Sequence, residues 1–202
     1  CKILLLTHLG RPNSIFEEKY SLKNIHLQIA KELNKDIRFI SYDEFQKNSL
    51  SKFHDAKDGI FLLDNIRFLV GEKENDPALS NIFTQNMNLY VNEAFSAAHR
   101  SHASVDQMAK NILSCPGINF LKEIEAIESI KKIINQSNTV LWNGPAGYFE
   151  NKNFMTGTMS IAEVISKNTV KKSLISILGG GDTLAAINKS TNKLSFTHLS
   201  TA

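Results

Sequence analysis

Apolar and polar residues are arranged in alternating blocks along the first half of the chain. Short apolar runs with strand character are separated by segments whose apolar residues follow helical spacing, as in 20–34 and 74–86. Pro77 lies near the start of the second of these segments, a position that suits a helix N-terminus. The predicted strands are 2–7, 37–42, 59–68 and 88–95.

Strands that take turns with helices are typical of βαβ units, in which a parallel sheet is covered by helices and its strands are continuous apolar runs. After residue 104 the pattern first turns helical, and 120–135 has a long amphipathic pattern. Its apolar stripe is Leu121, Ile124, Ile127 and Ile130 or Ile134.

A second α/β set follows this long helix. Its predicted strands are 139–143, 173–178 and 194–200, and its predicted helices are 158–168 and 182–189. The pattern therefore predicts an α/β fold with two parts. We expect an α/β domain over 1–119, a linking helix over 120–136 and a partial α/β domain over 137–202.

Composition narrows the class of protein. With 42% hydrophobic and 21% charged residues the chain resembles an ordinary globular protein, and a net charge of +3 is too small to indicate nucleic-acid binding. The sequence contains neither a membrane-spanning run nor a signal-peptide pattern. The two cysteines, Cys1 and Cys115, have no metal-type spacing, so we expect a cytoplasmic protein.

The arginines are few and therefore informative. Only Arg11, Arg38, Arg67 and Arg100 are arginine among 23 cationic residues, so lysine supplies most of the positive charge. Arginine is required where a planar guanidinium grips a carboxylate or phosphate with two hydrogen bonds. Three of the four follow predicted strands, whereas Arg38 lies inside one.

Ligands of open α/β sheets bind beyond the carboxyl ends of the strands. His8 and Arg11 follow the first predicted strand, and Arg67 lies at the end of the third. Arg100, flanked by His99 and His102, follows the fourth. If these groups converge, the ligand is a small anion that carries both phosphate and carboxylate. The alternative reading, His99 and His102 as metal ligands, lacks a supporting carboxylate or cysteine.

Two further motifs occur in the second half. Three glycines follow the apolar run 173–178 in LGGGDTLAA, and Asp182 or Thr183 is suited to cap the next helix. Such a turn can cradle a phosphate at a helix N-terminus, but it can equally be plain helix initiation. In WNGPAGYFE, Asn143 and Glu150 are suited to read a base or a ribose hydroxyl.

Six segments in sequence order resemble the signature stretches of the phosphoglycerate kinase family. They are THLGRP, LLDNIRF with GEKENDP, YVNEAFSAAHRSHAS, TVLWNGPAGYFE with FMTGTMSIAE, GGGDT and SFTHLSTA. The resemblance implies a cytoplasmic glycolytic enzyme. It would have two Rossmann-like domains, one for 3-phosphoglycerate and one for ADP or ATP with Mg²⁺. It would transfer a phosphoryl group between 1,3-bisphosphoglycerate and ADP.

The resemblance also implies roles for individual residues. The substrate-binding positions would be His8, Leu9, Gly10, Arg11, Arg67 and Arg100. The nucleotide-binding positions would be Asn143, Glu150, Gly180, Gly181, Asp182 and Thr183. Asp182 would lie near a Mg²⁺ ion held by the nucleotide phosphates. The family is usually monomeric, although exposed sheet edges in a shortened chain would promote association.

The chain departs from the family in three places. The family's N-terminal segment, with an arginine that stabilises the transferring phosphoryl group, has no counterpart. Residues 136–138 stand where the family has the lysines of a GGAK motif, and the family's C-terminal end is missing. No catalytic residue is therefore assigned. Three hypotheses follow: a phosphoglycerate kinase, a degenerate relative that keeps only anion binding, and an unrelated phosphate-binding α/β module.

Overall fold

The computed structural model of the chain describes residues 1–98, 100–145, 156–190 and 193–200. The chain forms two compact units. Unit 1 comprises Cys1–Val91 and Ser101–Cys115, and unit 2 comprises Asn92–Arg100 and Pro116–Ala202. The sequence-based domain ranges stay a prediction.

The described residues contain strands and helices in the alternating order that the sequence predicts. The strands are β1 (Lys2–Leu5), β2 (Ile37–Ile40), β3 (Gly59–Leu63), β4 (Tyr90–Asn92), β5 (Ser114–Pro116), β6 (Thr139–Asn143), β7 (Ile175–Gly179) and β8 (His198–Leu199). The α-helices are α1 (Lys23–Leu33), α2 (Tyr42–Asn48), α3 (Ser51–Asp55), α4 (Pro77–Thr84), α5 (Met108–Asn111), α6 (Ile118–Gln136), α7 (Thr156–Val170) and α8 (Gly181–Asn188). Strands β4 and β5 form a separate two-stranded sheet.

The main sheet of unit 1 has the strand order β1-β3-β2, and all pairs are parallel. From β1 the chain passes through α1 to β2, and it then returns through α2 and α3 to β3 in the middle. Because parallel crossovers are right-handed, this reversal of direction places α1 on one face of the sheet and α2 with α3 on the other. Both faces of the unit 1 sheet are therefore covered.

Two hydrophobic cores confirm this arrangement in unit 1. On one face Leu62 packs with Ile37 and with Leu22 of the α1 start. On the other face Phe61 and Leu63 belong to a larger core. Its buried members include Phe45 and Leu50, Phe53 of α3, Leu79 and Phe83 of α4, and Met108 of α5. Because successive side chains of β3 point to opposite faces of the sheet, they contribute to both cores.

The sheet of unit 2 has the order β6-β7-β8, again parallel, with consecutive strands as neighbours. Successive right-handed crossovers in one direction place their helices on the same face. On that face the core contains Ile134 of α6, Ile161 and Ile165 of α7, and Leu174, packed against Val140, Trp142, Val164 and Phe196.

The opposite face of the unit 2 sheet is open to solvent. In-register residues Leu141 and Ile177 share this face, and so do Thr139 and Ile175. Leu141 is 73% exposed and Ile175 is 53% exposed. Parallel sheets are normally covered on both faces, so unit 2 has the architecture of half a doubly wound sheet. The predicted fold class, a Rossmann-like first part and an incomplete second part, is confirmed.

Two details differ from the sequence-based predictions. Helices α2 and α3 were not predicted, although Ser41 accepts a hydrogen bond from the Glu44 backbone N–H as an N-cap. Strand β3 ends at Leu63, because Asp64 and Asn65 turn the chain into the 3₁₀ helix Ile66–Phe68. Along the predicted apolar stripe of α6, Ile134 is buried, but Leu121, Ile124 and Ile130 are exposed.

Candidate functional site

The loop that follows β1 is tightly shaped in unit 1. Gly10 has a φ of +64°, and a Cβ atom at this position would collide with the ring of Tyr20. Pro12 is buried, whereas His8 and Arg11 lie on the exposed part of the loop. The backbone therefore holds two basic side chains at the surface, at the carboxyl end of β1.

Three side chains from the segment after β3 hold this loop by its carbonyl oxygens. Asn65 Nδ2 donates to the Leu9 carbonyl at 2.7 Å. Arg67 NH1 donates to the Gly10 carbonyl at 2.8 Å, and Lys73 Nζ donates to the Pro12 carbonyl at 2.8 Å. The ends of β1 and β3 thus form one hydrogen-bonded cluster.

Arg67 is only 4% exposed, and its backbone N–H donates to Asn65 Oδ1 at 3.1 Å. The sequence placed Arg67 at a strand end facing a ligand. The structure puts it beside the His8–Arg11 loop, where its guanidinium also supports the loop backbone. Of the predicted substrate-binding residues, His8, Leu9, Gly10, Arg11 and Arg67 are therefore brought together in unit 1.

Asp64 connects this cluster to the start of α1. Its buried carboxylate accepts hydrogen bonds from the backbone N–H groups of Leu22 and Asn65, each at 2.8 Å. It also accepts a hydrogen bond from the Ser21 hydroxyl at 2.9 Å. One carboxylate thereby connects the end of β3 to the start of α1.

A second buried carboxylate anchors the segment that follows Arg100 in sequence. Glu72 accepts hydrogen bonds from the Ser104 hydroxyl at 2.6 Å and from the Ser104 backbone N–H at 3.0 Å. His102 Nδ1 lies 3.6 Å from Glu72 Oε1. Burial, with a further contribution from the Glu72 charge, raises the pKa of Tyr90 to about 12.

Arg100 belongs to unit 2, where its backbone N–H donates to the Ala97 carbonyl at 3.0 Å. Arg11 and Arg67 belong to unit 1. The convergence of all three guanidinium groups on one ligand thus stays a prediction.

The predicted nucleotide-binding residues that the structure describes lie together in unit 2. Asn143 and Gly179 are register partners at the carboxyl ends of the adjacent strands β6 and β7. The Gly144 backbone N–H donates to the Thr183 hydroxyl at 2.8 Å. A Cβ atom on Gly180, whose φ is +88°, would lie 2.5 Å from Asn143 Oδ1. Glu150 lies outside the described residues.

The N-terminus of α8 opens beside this cluster. The helix begins at Gly181, and its N-cap is Gly180, which makes no side-chain capping bond. The expected capping by Asp182 or Thr183 is wrong, because the Thr183 hydroxyl accepts from Gly144 instead. Backbone N–H groups of a first helical turn, with the positive end of the helix dipole, can bind a phosphate.

Within the described ranges, no group of three His, Cys, Asp or Glu residues could hold a metal ion. Asp182 is an exposed single carboxylate in the first turn of α8. One carboxylate fits a Mg²⁺ ion that takes its other ligands from nucleotide phosphates and water. His99 lies outside the described residues, so the alternative of a histidine metal pair stays a prediction.

Sequence reasoning did not find the supporting residues Asp64, Asn65, Glu72 and Lys73. A signal was present, since an Asp-Asn pair directly after an apolar strand is typical of a turn that bonds backbone N–H groups. Their long-range partners lie 32 to 61 residues away along the chain, from Ser104 for Glu72 to Pro12 for Lys73. Only the fold shows which backbone groups they meet.

No helix in the described parts of the chain is both long enough and apolar enough to cross a bilayer.

The described residues define a two-unit α/β protein in which α8 begins at a glycine turn directly after β7. A family model described as phosphoglycerate kinase matches residues 1–130 and 124–202. The chain therefore belongs to the phosphoglycerate kinase family.

Two curated relatives show how the chain compares in length. The phosphoglycerate kinase of Campylobacter hominis is 34% identical over 136 residues, which are 65% of this chain and 33% of the relative. That of Brucella melitensis is 25% identical over 324 positions, covering this whole chain and 82% of the relative. Because this chain has 202 residues, more than a third of those 324 aligned positions have no counterpart in it. The two matched ranges of the family model overlap at 124–130, within α6.

Solved structures agree on the fold. A phosphoglycerate kinase from Coxiella burnetii has a TM-score of 0.55 at 20% identity, covering 99% of this chain and 80% of that one. One from Pyrococcus horikoshii has a TM-score of 0.55 at 18% identity, covering 98% and 81%. At these identities the likeness shows the fold alone.

Proposed function

We propose that this chain binds 3-phosphoglycerate and an adenine nucleotide for reversible phosphoryl transfer between 1,3-bisphosphoglycerate and ADP. The observation that carries the proposal is the cluster in unit 1, in which Arg67 and the His8–Arg11 loop are held together by hydrogen bonds. Family membership supports the reaction. The exposed free cysteines Cys1 and Cys115 suit the reducing cytoplasm, where we place the activity.

In this proposal the carboxylate and phosphate of 3-phosphoglycerate bind to His8, Arg11 and Arg67 of unit 1. Gly10 allows the backbone to pass close to Tyr20, and the hydrogen bonds from Asn65 and Lys73 keep the loop in one conformation. A pre-ordered loop avoids much of the entropy cost of fixing an anion-binding site at the moment of binding.

The nucleotide would bind to the turn that joins β7 to α8. Its phosphates would meet the N–H groups of Gly181, Asp182 and Thr183, and Asn143 would contact the nucleotide from β6. The absence of a side chain at Gly180 lets Asn143 Oδ1 lie directly against this turn. Asp182 would lie near a Mg²⁺ ion that is held by the nucleotide phosphates. When bound, the ion would neutralise part of the phosphate charge.

Phosphoryl transfer needs positioning and charge stabilisation more than covalent chemistry. Guanidinium groups hold the acceptor carboxylate, and the α8 N-terminus holds the nucleotide phosphates. The lysines of the family's GGAK motif have no counterpart between α6 and β6, where residues 136–138 stand instead. Removing a cationic group that stabilises the transferring phosphoryl group lowers the rate of transfer.

A second function has support of its own. More than a third of the aligned positions of the Brucella relative are missing here, and the unit 2 sheet is open on one face. These observations favour a chain that binds 3-phosphoglycerate in unit 1 without turnover.

A coupled assay of the purified chain with ATP, Mg²⁺ and 3-phosphoglycerate, beside calorimetric titration of each ligand, separates the two functions. Turnover at ordinary enzyme rates supports the kinase and excludes the remnant. Binding of 3-phosphoglycerate without turnover supports the remnant. Absence of binding for both ligands contradicts the proposal.

Arg67→Lys tests the anion site directly. Lysine cannot present the planar fork, so we expect the affinity for 3-phosphoglycerate to fall by about tenfold or more. Arg38→Lys is the matched control, because Arg38 is exposed and donates only at 3.4 Å to the Asp58 carbonyl. Equal affinities for the wild type and Arg67→Lys would refute the assigned role.

A further inference from the structure

One edge of the unit 2 sheet is open to another strand. β6 pairs with β7 on one side, and on its other side it has no partner among the described residues. Residues Thr139–Asn143 pair in continuous register and include neither a charged residue nor a proline. Edge strands usually carry lysine, proline or a bulge that prevents pairing with another chain. β6 lacks these features.

Helix α6 flanks the same edge. It packs against α7, which in turn packs against α8, so the helix layer follows the strand order β6-β7-β8. α6 consequently lies at the β6 end of that layer, and a connection of two residues joins it to β6. Large apolar residues of α6 are exposed on several sides of the helix. They are Ile118, Leu121, Ile124, Ile130 and Ile133.

The charges of α6 are arranged so that they complement an antiparallel copy of the same helix. Glu123, Glu125 and Glu128 precede Lys131 and Lys132. Glu125 and Lys132 are seven residues apart and therefore lie on the same face of α6. Two antiparallel copies can pair Glu125 of each with Lys132 of the other, so this register brings opposite charges together across the two-fold axis.

The same two-fold axis suits β6. An antiparallel pairing centred on Leu141 places Leu141 opposite its own copy and Val140 opposite Trp142, so apolar side chains meet across the new strand pair. The midpoint between Glu125 and Lys132 lies about 11 Å before the end of α6, and Leu141 lies about 7 Å from the start of β6. These two distances from the α6–β6 connection differ by less than one helical turn.

We propose that a second copy of this chain docks on the β6–α6 edge, extending the sheet across a two-fold axis. Such an interface is isologous, since the same surface serves both copies. Residues 124–130, where the two matched ranges of the family model overlap, lie within α6 at this edge. The proposal does not depend on the proposed function.

Sedimentation velocity of the full chain over a concentration series, up to about 100 μM, tests the proposal. We expect the mass to rise with concentration from 22.6 kDa to twice that value. A chain that remains at 22.6 kDa across the series overturns the proposal.

Leu141→Lys introduces a charge at the edge, and we expect the dimer dissociation constant to rise at least tenfold. Its side chain is 73% exposed, so the fold should survive, as circular dichroism will show. Leu199→Lys is the matched control on the opposite edge, where Leu199 is 49% exposed and the dissociation constant should not change. Equal effects of the two substitutions would overturn the proposal.

Charge exchange tests the helix register. Glu125→Lys and Lys132→Glu should each weaken the dimer, and the double variant should restore it. Failure of the double variant to restore the dimer overturns the antiparallel arrangement.

Hydrogen exchange identifies what covers the edge. We expect β6 amides to become protected as the dimer forms. Equal protection at concentrations where the chain is monomeric would show that another part of the same chain covers β6, and would overturn the proposal.

Discussion

At the scale of single residues, Gly180 is the position where backbone conformation most directly limits the nucleotide site. Its φ of +88° and ψ of 130° belong to a region that side chains avoid, and Asn143 Oδ1 occupies the space of a Cβ atom. Gly144, with a φ of +93°, donates its N–H to Thr183 nearby. Glycine at 180 is therefore required by both geometry and space.

We expect Gly180→Ala to destabilise the protein by about 1–3 kcal/mol and to weaken nucleotide binding, because Asn143 must move away. Urea unfolding and calorimetric titration with ATP measure the two effects. Gly179→Ala is the control, since a Cβ atom there meets no atom within 4 Å. A Gly180→Ala protein as stable as the wild type would contradict the strained geometry.

Tyr90 gives the clearest pH dependence. Burial and the Glu72 charge raise its pKa to about 12. Because the folded pKa exceeds the unfolded value, the associated stability is present below pH 10 and is lost as the pH rises toward 12. Absorbance titration of the phenolate should show a phase near pH 12 that Tyr90→Phe removes. A wild type in which every tyrosine ionises near pH 10 would contradict this assignment.

At the scale of elements, the end of β3 decides how unit 1 builds its candidate site. Asp64 connects β3 to the start of α1, and Asn65 and Arg67 connect the following 3₁₀ helix to the His8–Arg11 loop. The loop after β1 is thus shaped by an element that lies more than fifty residues later in sequence.

Removing the Asp64 carboxylate leaves buried donors of Ser21 and Leu22 without an acceptor. We expect Asp64→Ala to lower the free energy of unfolding by about 2–4 kcal/mol at neutral pH. Asp58→Ala, at an exposed position just before β3, should change it by less than about 0.5 kcal/mol. Urea unfolding of both variants is the measurement, and similar losses in the two would argue against the buried network.

At the scale of the whole molecule, the two units differ in how their sheets are covered. The strand order β1-β3-β2 reverses direction and brings helices to both faces, whereas β6-β7-β8 does not reverse. Unit 1 therefore encloses its central strand between two cores, and unit 2 has one open face.

This difference predicts unequal local stability. In native-state hydrogen exchange at concentrations low enough to keep the chain monomeric, amides of Gly59–Leu63 should exchange more slowly than those of Ile175–Gly179. Both strands are central in their sheets, so edge effects are matched. Equal protection of the two strands would mean that the open face has no energetic consequence.

The sequence by itself was sufficient for the fold class, because the apolar runs that form buried parallel strands are local patterns. It also located the His8–Arg11 loop and the glycine turn at 179–181, since both follow directly on such runs. Helices α2 and α3 were missed, although Ser41 and Glu44 have capping-box spacing, because they are short and their apolar residues lack a long period.

Tertiary structure decided which distant groups meet. Asn65, Arg67 and Lys73 reach carbonyl oxygens of a loop that lies far away in sequence. It also decided that most of the α6 stripe is exposed, since an amphipathic pattern shows that a helix has an apolar face but not whether anything covers it. Local periodicity determines elements. Strand order, with the handedness of crossovers, determines which faces are covered, and that order depends on long-range pairing.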